Sequence, residues 1–163
     1  SEFEVDEYDS EDELPGGIEK TFVPARNIMF LSIAANRASV LGCDSIIIGV
    51  SQEDFGGYPD CRGEFISAMS EAISQGLPEP VLIVTPLINK TKKETVELAV
   101  ELNNGVIGAW AMSHSCYQGE WPPCGRCHAC LLRAKGFEEA GIPDPLIVYA
   151  HNYLEAGDID FAS

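Results

Sequence analysis

A chain of 163 residues has the length of one domain, and a 45% hydrophobic content is enough to build its core. The formal charge of −16 and isoelectric point near 4.3 repel phosphate backbones and anionic headgroups, which argues against direct nucleic-acid binding and against a charged membrane surface. The longest apolar runs, SIIIGV and VLIVTPLI, have the length of core strands, not of membrane spans.

The acid is concentrated at the start. Residues 1–19 carry nine Asp or Glu and no Lys or Arg, so residues 1–20 read as a solvated, flexible lead-in, with an acidic interaction tail as the alternative. This stretch contains no apolar signal segment, and a reducing cytoplasm is the expected location. Residues 26–41 then place Ile28, Leu31, Ala35, Ala38 and Leu41 at helical spacing, with Gly42 as the stop. SIIIGV (45–50) is a β-branched run without alternation, the pattern of a parallel strand covered on both faces. QEDFGGYPDCR (52–62) is loop, broken by Gly56, Gly57 and Pro59. GEFISAMSEAISQG (63–76) is a second amphipathic helix closed by Gly76, and EPVLIVTP (79–86) is a second buried strand ended by Pro86. A third helix follows in TKKETVELAVELNNG (91–105), where Thr91 and Glu94 fit a capping box. A third strand is sketched over Val106–Met112, and a last helix over about residues 127–140.

Alternating helices and strands predict an α/β fold with a parallel sheet. Two secure strands are few for so many helices, so the chain resembles the later part of a doubly wound domain. The organisation expected is lead-in 1–20, the later part of the α/β domain 21–105, a cysteine knuckle with its helix 106–146, and a tail 147–163.

Four of the six cysteines fall in HSCYQGEWPPCGRCHACLLRAKGF (114–137), spaced Cys116-x7-Cys124-x2-Cys127-x2-Cys130. A C-x2-C step points two sulfurs at one centre from a single turn, and four such sulfurs close a tetrahedral zinc site with no position left for water. Such a zinc is structural. Pro122 and Pro123 stiffen the approach, and Gly125 lets backbone amides turn toward thiolate sulfur. An iron–sulfur cluster is the competitor, although its fourth ligand usually lies downstream and here lies upstream. Disulfides and unliganded thiols rank lower. His114 and His128 are expected to be solvated neighbours, and Cys43 an ordinary buried residue.

Cations are few, and three stand in compact polar motifs: Arg26 in TFVPARN (21–27), Arg62 in GYPDCR (57–62) and Lys92 in TPLINKTKKE (85–94). Two of these motifs follow expected strand ends, where open α/β sheets bind ligands. Arginine forks and a lysine there suit a carboxylate or phosphates. Phe55 and Tyr58 are candidates for stacking a flat heterocycle, with packing as the plainer role.

These motifs, together with GVSQEDFGGYPDCR (49–62) and the 114–145 block, run in one order over most of residues 20–146. In that order the chain resembles the 7-cyano-7-deazaguanine synthase family of queuosine and archaeosine biosynthesis. The resemblance implies a Rossmann-like fold of the PP-loop ATP pyrophosphatase type, a structural zinc on Cys116, Cys124, Cys127 and Cys130, and a homodimer. It implies ATP with Mg2+, ammonia and 7-carboxy-7-deazaguanine as reactants. It also implies catalytic roles for Arg26 and Lys92 and substrate recognition by Asn27, Asp54, Tyr58, Asp60 and Arg62. Cys61 is expected to line the substrate, not to attack it. The family's SGGxDS-like PP-loop, which cradles the pyrophosphate of ATP, does not occur in these residues. The expectation is therefore a synthase that draws its PP-loop half from elsewhere, with a non-catalytic homologue binding a deazapurine or a protein as the alternative.

Overall fold

The computed structural model describes residues 5–14, 18, 20–52, 58–102 and 104–155. They fall into two compact units, Pro15–Thr91 and Ser1–Leu14 with Lys92–Ser163. The described fold is α/β with one small parallel sheet.

The first unit runs α1 (Arg26–Leu41), β1 (Ser45–Ile47), a 3-10 turn (Pro59–Cys61), α2 (Gly63–Gly76) and β2 (Leu82–Val84). Gly42 ends α1 at φ +69°, with its own N–H on the Ser39 carbonyl and the Cys43 N–H on that of Ala38, the paired bonds of a Schellman motif. The strands are parallel, with Ile46 opposite Ile83. Those two isoleucines pack on a core of Leu31, Ala35, Ala38, Val50, Ile66, Ile73 and Val81.

The expectation of a sheet covered on both faces is corrected. Ile47 is 75% exposed and Leu82 59%, so the face opposite α1 and α2 is left uncovered among the described residues. The strands are also shorter than the apolar runs that signal them. Helix α1 departs from its expected stripe as well. Ile28 and Leu41 are exposed beside Met29, Phe30, Ile33 and Val40, while the polar Asn27 is buried. Apolar residues lie nearly all round this helix, so periodicity identified the helix but only part of its buried face.

The second unit contains α3 (Lys92–Glu101), α4 (Asn104–Trp110), α5 (His128–Glu139) and α6 (Pro145–Glu155). The strand expected over Val106–Met112 is replaced by the end of α4, to Trp110, and a turn over Ala111 and Met112. The Trp110 carbonyl at the end of this helix and the Ser113 carbonyl in the turn after it accept from the Arg133 guanidinium at 3.3 and 3.1 Å. Part of the stretch set down as tail is α6. Asp144 accepts the Leu146 N–H at 2.9 Å and Pro145 fills the first helical position, so the Asp-Pro pair is a helix start. Leu146 and Ala150 are buried.

The acidic lead-in is corrected over residues 5–14, which are docked and paired, not simply solvated. Glu7 meets Arg126 at 2.9 Å and forms an isolated antiparallel bridge with Cys127, and the Tyr8 N–H donates to the Arg126 carbonyl. Glu11, in a 3-10 turn, meets Lys135 of α5 at 2.8 Å. None of the helices among the described residues is long and apolar enough to cross a membrane.

Candidate metal centre and substrate-loop assembly

The four clustered cysteines converge. Their sulfurs all lie within 4.8 Å of one another, and Cys124 and Cys130 are 3.9 Å apart. A zinc with Zn–S bonds of about 2.3 Å in tetrahedral geometry sets its sulfurs about 3.8 Å apart, so the donor set has the chemistry and nearly the spacing of a closed S4 site. Local structure explains the arrangement. Gly125 adopts φ +73°, which turns the following backbone so that the Cys127 N–H donates to the Cys124 sulfur at 3.3 Å. Cys127 then stands at the start of α5, and Cys130 lies in its first turn. Cys116, Cys127 and Cys130 are buried, Cys124 is half-buried, and Val5 packs against the group.

Burial and the neighbouring thiols set the protons of this cluster. Burial acts to raise the Cys116 thiol, but backbone hydrogen bonds at Cys124, Glu120 and Gln118 outweigh it and bring it down to about 6. Burial pushes the Cys124 and Cys130 thiols up, and neighbouring sulfurs add to the rise. The two histidines behave differently. His114 is exposed and bonded to the Glu120 carbonyl at 2.9 Å. His128, expected to be solvated, is only 6% exposed, because it opens α5 beside Cys127. Cys43, expected to be buried, is exposed just past the end of α1.

In the first unit two motifs distant in sequence form one hydrogen-bonded assembly. Thr21 Oγ1 and the Tyr58 hydroxyl lie 2.8 Å apart, and the Phe22 and Tyr58 rings sit 5.2 Å apart. The Asp60 carboxylate accepts the Asn27 N–H at 3.1 Å, and the Asn27 amide donates to the Asp60 carbonyl at 2.9 Å and to Cys61 sulfur at 3.5 Å. The residue before α1 is Ala25, which has no side-chain oxygen and stands at φ +61°. Asp60 therefore does the work of an N-cap from 33 residues away. Arg26 opens α1 beside Asn27, and exposed Arg62 follows the same turn as Asp60. Tyr58 is half-buried. Asp54 and Phe55 lie outside the described residues. Lys92 belongs to the second unit, as the first residue of α3.

Gln52, in GVSQEDFGGYPDCR, and Asn89, in TPLINKTKKE, are polar residues that sequence patterning alone does not mark. Their side chains bond at 2.7 Å, and Gln52 also accepts the Gly63 N–H at 3.2 Å. They border an open groove of about 520 Å3 with Ser67, Ser70 and Thr85 on its walls and Ile66 and Ile83 below. The signal available was their position directly after the strands.

Comparison with known proteins decides the family. Residues 1–141 match the family described as Queuosine biosynthesis protein QueC. The chain belongs to the QueC family. It is 51% identical over 150 residues to the 7-cyano-7-deazaguanine synthase of Gloeobacter violaceus, covering 90% of this chain and 64% of that protein. The synthase of Chromobacterium violaceum is 50% identical over 127 residues, with 78% and 53% covered. That of Thermoplasma volcanium is 46% identical over 140 residues, with 83% and 55% covered. This QueC-family chain thus spans between half and two thirds of the length of these relatives.

Proposed function

We propose that the chain is the substrate-loop and metal-knuckle part of a 7-cyano-7-deazaguanine synthase, built on an incomplete Rossmann-like fold of the PP-loop ATP pyrophosphatase type. Its reactants are 7-carboxy-7-deazaguanine, ammonia and ATP accompanied by Mg2+. The carboxylate, a poor electrophile, attacks the α-phosphorus of ATP to give an acyl adenylate and pyrophosphate. Ammonia displaces AMP and leaves the amide. The amide oxygen is adenylated in turn, and loss of AMP and a proton gives the nitrile. Arg26 and Lys92 stabilise the negative charge that develops on the phosphates. Asp54, Tyr58 and Arg62 recognise the deazapurine and its carboxylate, while Asn27 and Asp60 serve the same loop by holding its shape. Zinc on Cys116, Cys124, Cys127 and Cys130 keeps the knuckle folded and offers no open coordination position. The PP-loop cradle belongs to a part of the synthase outside these residues, a homodimer is the working assembly, and the reaction runs in the cytoplasm without direct nucleic-acid contact.

The observation that supports this reading is the joining of the TFVPARN and GYPDCR segments through Thr21–Tyr58 and Asn27–Asp60, with Arg26 directly before Asn27 and Arg62 two residues past Asp60. The test is reconstitution. The zinc-loaded chain is mixed with the PP-loop half of a relative, and nitrile is assayed with ATP, ammonia and the carboxy-deazaguanine. Nitrile formation that is lost in Arg26→Ala is expected. Saturable deazapurine binding without turnover, in a mixture shown to assemble, overturns the synthase reading in favour of a binding homologue.

A further inference from the structure

Among the described residues of the second unit, one close contact is open to glycine alone. Gly136 lies within α5 and is buried. A Cβ placed there would stand 2.7 Å from the Lys92 Cβ, 3.2 Å from its carbonyl carbon and 3.3 Å from its carbonyl oxygen. These atoms are the stem and backbone of Lys92, not the swinging end of its side chain, so rotation of the lysine cannot relieve the clash. Helix α5 and the first residue of α3 therefore touch almost backbone to backbone.

Helix α5 is itself held along its length. Its start is fixed by two members of the thiol cluster, Cys127 and Cys130. One turn before Gly136, Arg133 directs five hydrogen bonds, two to the Asp144 carboxylate at 2.5 and 2.8 Å and three to Ser113 and Trp110. Its guanidinium carbon also lies 5.5 Å from the Phe137 ring centroid. A helix pinned in this way is a stiff bar, and Gly136 is the place where the bar bears on Lys92.

We infer that Gly136 is a positioning residue for Lys92: by letting α5 approach without a side chain, it sets where the α3 backbone launches the lysine. The inference rests on the reading of Lys92 as a phosphate-stabilising group. Misplacing such a group by about 1 Å can cost on the order of 100-fold in rate.

The test is Gly136→Ala, made in the zinc-loaded chain and assayed in the reconstituted synthase. Gly136→Ala is expected to keep one metal per chain and to lose at least about 10-fold in kcat. The same change in a Lys92→Ala background is expected to cost nothing more, since the two residues act through one position. Full activity in Gly136→Ala, or an equal loss in both backgrounds, overturns the inference. Should Gly136→Ala fail to fold, Gly136→Ala with Lys92→Gly removes the nearest clash. Recovery of folding supports the contact and continued failure overturns it. Should the wild-type mixture show no turnover, the synthase reading falls by itself. The positioning claim is then read from the Lys92 amide resonance in the metal-loaded chain, which must move in Gly136→Ala and overturns the claim if it stays in place.

Discussion

Asp60 carries a structural task that its motif does not advertise. It is 5% exposed and lends its carboxylate to a helix that starts on an alanine. Asp60→Ala strands the Asn27 N–H at a buried helix start, and a loss of about 2 kcal/mol is expected, combining a missing cap with an unbonded buried donor. Asp60→Asn keeps an acceptor oxygen and is expected to recover more than half of that loss. Urea unfolding of the two variants beside the parent checks both values, and an Asp60→Ala midpoint equal to that of the parent would contradict the capping role. This contact was hidden in the sequence because its partners are 33 residues apart. The same distance problem concealed the pairing of Glu7 with Arg126 and of Glu11 with Lys135. A run of acids reads as solvated until its cations are known.

At the scale of elements, punctuation was more legible than coverage. Gly42 stopped α1 where expected, GEFISAMSEAISQG matched α2 from end to end, and the cysteine spacing foretold the sulfur cluster. Those signals are local: a glycine at positive φ, a helical period, a C-x2-C step. What failed was non-local. Whether the second face of β1 and β2 is covered depends on chain that the strands do not encode, and α4 ends on carbonyls captured by Arg133. The knuckle is the element most dependent on something added. Two of its thiols begin α5, so stripping the metal with a chelator is expected to lower the melting temperature and to reduce helical circular dichroism. Binding requires thiolates, and burial pushes the Cys124 and Cys130 thiols up, so refilling the site must expel their protons. Acid therefore favours the empty site and alkali the filled one. Zinc released to a colorimetric chelator should rise as pH falls, and release independent of pH would argue against thiolate ligation.

At the scale of the whole molecule, a charge of −16 coexists with uncovered apolar surface on the small sheet and on α1. Ile47, Leu82 and Val84 lie together on one side of two strands, and each strand has a neighbour on one edge alone among the described residues. Such a surface invites another polypeptide, and mutual repulsion between copies opposes the encounter. Repulsion of this kind fades once the screening length falls to about 3 Å near 1 M salt, while the attraction between greasy surfaces does not. The purified chain should therefore scatter more light as sodium chloride is raised, the reverse of ordinary salting-in. Exchanging Ile47 for lysine should blunt that response, and turbidity indifferent to either change would mean the bare side of the sheet is inert.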